Sequence, residues 1–352
     1  MRHGLEVTPA GGRARLWPYT ELRQTQGSYT DEEVRLERGG QTPEVLLVED
    51  LGFLRSLHEL VPDRSGGFHN PAQRGRRLRL TVLAAGGIVI LTVLIYLWGI
   101  PLLAATVAGQ VPASWEDQLG RSTVKYLAPP EKRCEDPKLI AAIDTIVARL
   151  IATRPASPYT FRVYVVDLPV FNAFAAPGGS IVVFRGLLER TETPEELAGV
   201  LAHELLHVLH RHTTRAIIQH TSSGLLIAAL TGDVTGPVVY GLETARVLGQ
   251  LHYSRGAEEE ADSEGLKMLL AARVDPAGMI AFFNVLEKRS GTGPDALKYL
   301  STHPSSRARV ATLTAFAAQH PIQPIKLLPE QDWGELRNAC GSAGPAQHES
   351  TR

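Results

Sequence analysis

The stretch His203-Glu-Leu-Leu-His207 holds the residues best suited to chemistry. Four-residue spacing on a helix puts both imidazoles on one face, one turn apart, as two ligands of one metal ion require. Zinc accepts histidine nitrogen and carboxylate oxygen, and a catalytic zinc keeps three protein ligands and one open position. Glu204 then stands beside the metal as the catalytic general base: its carboxylate takes a proton from a zinc-activated water and later delivers it to the leaving amine. The third ligand is sought in Ser254-Arg-Gly-Ala-Glu258-Glu-Glu-Ala-Asp262. Glu258 and Asp262 lie four apart and share a helix face, so Glu258 can reach the metal while Asp262 accepts a hydrogen bond from a ligand histidine and fixes its tautomer. Glu259 and Glu260 are expected to point into solvent.

These groups need helices to hold them. Thr193-Pro-Glu-Glu196 reads as an N-cap, a proline at the first helical position and the acidic partner of a capping box, opening a helix that should run through His212. A further helix is expected from about His252 to Ala272, another from Asp275-Pro276, and a last one after Ser305. Upstream, Asp136-Pro137 caps an amphipathic helix carrying Leu139, Ile143, Ile146, Val147 and Leu150 at helical spacing. Tyr159 to Val166 and Ser180 to Phe184 read as strands joined through the loop Ala176-Pro-Gly-Gly179. The fold class is therefore α+β, mostly helical with a small β-sheet, preceded by one transmembrane helix and a small N-terminal module.

No charged residue occurs between Arg79 and Glu116, and Leu80 to about Ala108 is dominated by Leu, Ile, Val and Ala, enough to cross a bilayer. The basic flank Arg74-Gly-Arg-Arg-Leu-Arg79 keeps the N-terminus cytoplasmic by the positive-inside rule. The run lies too far from Met1, and is too long, for a cleavable signal peptide. The expected layout is an N-terminal cytoplasmic module over 1–76, with Val45-Leu-Leu-Val48 as one of its strands, a span over 78–108, a catalytic domain over 115–325 and a tail over 326–352. Between Ile217 and Leu251 an apolar stretch reads as a core helix or a lid over the cleft, with a second span the weaker alternative. With 36 Lys+Arg against 37 Asp+Glu, nothing recommends nucleic acid. Cys134 and Cys340 are too few for a disulfide framework and stand either as one bridge or as two thiols.

At these residues the chain resembles the zinc metallopeptidase family that includes the HtpX heat-shock proteases, the CAAX prenyl endopeptidases, the mitochondrial Oma-type protease and the periplasmic protease BepA. The likeness spans about Asp136 to Phe316 in four ordered blocks: Asn172-Ala-Phe-Ala-Ala-Pro-Gly-Gly179 with Gly186-Leu-Leu188; His203 to His207 with Arg211-His212; Ser254-Arg255, Glu258 and Ala261-Asp262; and Thr302-His-Pro304 with Arg309. The resemblance implies a gluzincin-like domain with one Zn²⁺ on His203, His207 and Glu258 and with Asp262 behind a ligand. It also implies that His303 approaches the metal, and His303 and Arg309 are the candidates for a switch or a transition-state partner. HtpX and prenyl proteases have several spans, whereas one is evident here, so the likeness is to single-anchor, quality-control members.

The function read from this is a membrane-anchored zinc endopeptidase acting on unfolded or misassembled envelope or membrane proteins. It would sit in a bacterial inner membrane, single-pass, with the catalytic domain periplasmic or exoplasmic. Gly179, Ser180, Ile181 and Val182 are expected to form an exposed edge strand to which a substrate chain adds by backbone hydrogen bonding. The alternative is a zinc-containing, chaperone-like binder of unfolded clients; the presence of Glu204 favours the enzyme, since a binder has no need of that base.

Overall fold

The computed structural model describes residues 3–25, 33–39, 42–50, 52–61, 74–231, 253–289, 303 and 307–341. The chain forms two compact units, Met1–Val93 and Leu94–Arg352. In the first, β1 (Gly4–Val7) and β2 (Arg15–Pro18) pair antiparallel, and β3 (Leu22–Gln24), β4 (Val34–Arg38) and β5 (Glu44–Val48) make a second antiparallel sheet, followed by α1 (Gly52–Leu60). Strand β4 shows why: Val34 and Leu36 are buried while Arg35 and Glu37 face outward, the two-residue alternation of a strand with one covered face. Trp17, Tyr19, Leu22, Leu54 and Leu57 complete that core.

Helix α2 (Arg74–Leu94) passes through a π-helical turn at Ile95–Gly99 into α3 (Ile100–Gln110). The π turn falls just before Pro101, whose missing N–H and ring disturb the normal hydrogen-bond ladder. Leu78–Gln110 forms one apolar helix of 33 residues, long enough to cross a membrane, with side chains exposed along its most apolar stretch.

The second unit continues with α4 (Ala113–Leu127), α5 (Pro137–Ile151), β6 (Arg162–Val166), β7 (Ala173–Ala176), β8 (Ser180–Phe184), α6 (Arg185–Leu188), α7 (Pro194–Leu209) and α8 (His212–Thr231). After 232–252, which with His252 lie outside the described residues, come α9 (Arg255–Ala271), α10 (Ala277–Arg289), α11 (Arg307–Gln319) and α12 (Trp333–Arg337). Helix α7 is the centre of this unit. Every residue from Glu196 to Val208 is buried, so the helix is wrapped on all sides rather than amphipathic. Its start follows the sequence: Thr193 Oγ1 accepts from Glu196 N at 3.2 Å, and Glu196 reaches back to accept from Glu192 N at 2.8 Å, one residue before the usual capping-box donor. At Gly199 a Cβ would come 2.6 Å from the Met279 Cα, so glycine is what lets α10 lie directly on α7.

Three expectations change and one open alternative is decided. The sheet order is β6-β8-β7, with β8 parallel to β6 and antiparallel to β7. Ser180, Ile181 and Val182 are therefore in a central strand, buried along its whole length, and Gly179 lies in a 3₁₀ turn; they form no exposed edge. An unbroken Ile-Val-Val-Phe run is what a strand covered on both faces requires. The Gly178 that feeds β8 has φ +76°, and a Cβ there would meet the α4 backbone at Asp117. Second, the metal-site helix stops at Leu209 rather than His212, because Arg211 turns to φ +57° and α8 starts afresh. Third, the described part of the expected tail, up to Gly341, packs into the core through Leu327, Leu328, Trp333 and Leu336. Finally, Cys134 and Cys340 are bonded, S–S 2.14 Å, tying that segment to the approach to α5.

Candidate active site

Two turns of α7 and one of α9 meet at the core's centre, where His203, Glu204, His207 and Glu258 are fully buried and His303 is nearly so. His203 Nε2 and His207 Nε2 stand 3.0 Å apart, and His207 Nε2 lies 3.3 Å from Glu258 Oε1. His303 Nδ1 closes the figure, 3.2 Å from His203 Nε2 and 3.0 Å from Glu258 Oε1. For zinc–ligand bonds of about 2.0–2.1 Å, tetrahedral corners stand roughly 3.4 Å apart, so these four atoms have the separations of one coordination sphere.

The proton positions say the same. His203 Nδ1 faces Asp262 Oδ1 at 3.0 Å, and an ionised carboxylate only accepts, so Nδ1 carries the hydrogen and Nε2 a lone pair. On the other side His212 Nε2 faces Glu260 Oε2 at 2.9 Å, leaving His212 Nδ1 as acceptor for the Nδ1–H of His207, 2.9 Å away. His207 Nε2 therefore also carries a lone pair. Two imidazole lone pairs and a carboxylate oxygen converge on one point, an arrangement that repels itself until a cation neutralises it. The donor set is one that zinc accepts.

Electrostatics agree. Burial holds the His207 pKa well below its usual value, and burial likewise pushes His212 down to about 4, so both rings are neutral. Glu258 is penalised by burial, but the charge of His303 and its hydrogen bond from Nδ1 outweigh that and hold it well below the carboxylate range. Asp262, also opposed by burial, is kept ionised by His203 and Arg309. Arg309 donates to both Asp262 oxygens, at 2.5 and 2.8 Å, and its Nη1 stands 3.0 Å from Glu258 Oε2. Its place is thus behind the carboxylates. Glu204 differs from both: burial raises its pKa, and neither of its oxygens accepts a hydrogen bond of normal geometry among the described residues. Its Oε1 is 3.4 Å from His303 Nε2.

The structure thus brings His203, Glu204, His207, Glu258, Asp262, His303 and Arg309 together; Gly179 lies in the turn before β8 and Ser180 to Val182 in the centre of the sheet instead, and Thr302 and Pro304 fall outside the described residues. Glu260 corrects the sequence reading: it accepts from His212 and faces His210 Nδ1 at 3.0 Å rather than pointing away. Tyr253 stacks on His207 at 4.0 Å between ring centroids, with its hydroxyl 2.9 Å from Thr213 Oγ1. Only the Arg211-His212 pair following the motif hinted at this outer layer.

A helix-borne His-Glu-x-x-His with a glutamate from a second helix is the residue set of a zinc metallopeptidase. The profile described as Peptidase family M48 matches residues 137–317, half of the chain, and the chain belongs to that family. It is 31% identical over 183 residues to the mitochondrial metalloendopeptidase OMA1 of Schizosaccharomyces pombe, covering 51% of this chain and 54% of that protein. With the putative beta-barrel assembly-enhancing protease of Vibrio cholerae it shares 31% identity over 241 residues, 65% of this chain and 49% of that one. Arabidopsis thaliana OMA1 is 37% identical over 159 residues, 45% of this chain and 32% of that protein. The chain spans about half the length, or less, of these curated relatives.

Proposed function

We propose that this chain is a membrane-anchored zinc endopeptidase that cleaves unfolded or misassembled proteins of the membrane or envelope. The observation that carries the reading is the convergence of His203 Nε2, His207 Nε2 and Glu258 Oε1 beside a Glu204 carboxylate that accepts no hydrogen bond of normal geometry among the described residues. His203, His207 and Glu258 would hold the ion. Zinc, when bound, makes water a stronger acid and polarises a carbonyl. Glu204 takes the proton on a carboxylate oxygen; its burial raises its affinity for that proton, and it passes the proton to the departing amine. Asp262 and His212 hold the two imidazoles in the tautomer that keeps Nε2 available, and Arg309 fixes the far oxygen of Glu258.

His303 Nδ1 fills the corner that a solvent molecule or substrate carbonyl needs, so the arrangement is latent and His303 must withdraw before turnover. In the membrane, the basic flank Arg74 to Arg79 stays cytoplasmic and the catalytic domain lies across the bilayer in the periplasmic or exoplasmic space. Quality control as the task is drawn from the printed names of the relatives, one of which is a protease that enhances beta-barrel assembly.

The test uses the full chain in proteoliposomes with zinc and a permanently unfolded polypeptide. Wild type should cut it at several interior sites, and His303→Ala should cut faster by several-fold. Cleavage confined to one short peptide, with unfolded chains untouched by both proteins, would remove the quality-control reading.

A further inference from the structure

The geometry points to a second membrane contact: the C-terminal half of α8 dips into the outer leaflet of the bilayer that the Leu78–Gln110 helix crosses, its apolar side chains in contact with lipid acyl chains. This rests on that helix being a true span.

The argument is one of register. Arg211, at the head of α8, donates through Nη1 to the Ala108 and Val111 carbonyls, both at 2.6 Å, so α8 starts beside the C-terminal end of α3. Farther along, Ala216 and Gln219 of α8 line one cavity with Ala105 and Pro101 of α3. Seven residues forward on α8 thus correspond to about seven backward on α3, and the two helices run antiparallel side by side. Six residues beyond Gln219, about 9 Å at 1.5 Å per residue, bring Leu225 level with Ile95. No Asp, Glu, Lys or Arg follows Arg215 in α8, and Leu225 and Leu230 are each more than half exposed.

The depth of Ile95 can be placed. A hydrocarbon core needs about twenty helical residues, and counting from the basic flank that ends at Arg79 puts the outer boundary near Ile100. Tyr96 and Trp98, both exposed, stand where aromatic side chains settle at a membrane–water boundary. Leu225 then lies just beneath the boundary and Leu230 deeper, while His220 to Ser223 form the polar girdle at the surface. In water these exposed leucines would be a cost, whereas beside a lipid-embedded helix they are in their own solvent. A second copy of the chain could also cover them, and the test separates the two.

The full chain, whose two native cysteines are bonded to each other, carries Leu225→Cys, Leu91→Cys within the span, or Thr145→Cys at an exposed position of α5, and is spin-labelled in liposomes. The Leu91 label should be relaxed several-fold more by oxygen than by a water-soluble nickel chelate, the Thr145 label the reverse. The Leu225 label is expected to follow Leu91. A Leu91 label in lipid with Leu225 behaving like Thr145 overturns the proposal and leaves the span intact. Shielding of Leu225 from both relaxants, with spin–spin broadening, would assign the face to a second copy and also overturn it. A water-exposed Leu91 would remove the span and the proposal together.

Discussion

Two clusters of histidine and glutamate lie side by side in this domain, and each brings its ligand-type atoms within 4.8 Å of one another: His203, His207, Glu258 and His303, and next to them His210, His212 and Glu260. Composition does not distinguish them. Proton bookkeeping does. In the outer cluster each imidazole nitrogen that faces Glu260 has a carboxylate oxygen opposite, so donor meets acceptor and no ion is needed. In the inner cluster the hydrogens of His203 and His207 are drawn outward by Asp262 and by the His212–Glu260 pair, leaving their two Nε2 lone pairs to face each other in a buried site. A metal centre is thus marked less by which residues gather than by where their protons have been sent, and the outer cluster is part of the machinery that sends them.

This contrast can be broken in graded steps. The largest effect belongs to Glu204→Gln, which removes the proton acceptor without touching a ligand: turnover should fall by about 10²–10⁴-fold while zinc content, read by atomic absorption, stays at one per chain. Unchanged cleavage would exclude Glu204 as the base. Next comes Asp262→Asn, which takes away the acceptor that fixes His203 and half of the Arg309 clamp. Metal affinity, measured by chelator competition, should weaken about 10–100-fold. The smallest change is expected for Glu260→Gln, since the amide oxygen can still accept from His212. A loss of no more than a few-fold is predicted, and one as large as that of Asp262→Asn would mean that the outer cluster binds the ion itself.

What the sequence disclosed, and what it hid, divides along the same line. His203, Glu204 and His207 were legible because four-residue spacing on one helix is a local property, as was the capped start of α7 at Thr193. Glu258 and Asp262 needed only a second helix with the same spacing. Glu260 was misjudged because its partner His212 follows a reversal at Arg211, and a single residue at φ +57° leaves little trace in a composition that otherwise continues helically. The place of β8 was hidden for a related reason: strand order comes from pairing between distant segments, and only its unbroken apolar run distinguished a central strand from an edge. The Cys134–Cys340 bond, spanning 206 residues, depends on the whole domain closing and on nothing near either cysteine.

The central claim is most directly tested by the metal content and zinc X-ray absorption of the full chain beside two variants, His203→Ala and the pair His210→Ala with Glu260→Ala. The account predicts one zinc per chain with nitrogen and oxygen neighbours at about 2.0–2.1 Å, lost in the first variant and kept in the second. Zinc that survives His203→Ala and disappears with His210 and Glu260 would contradict it.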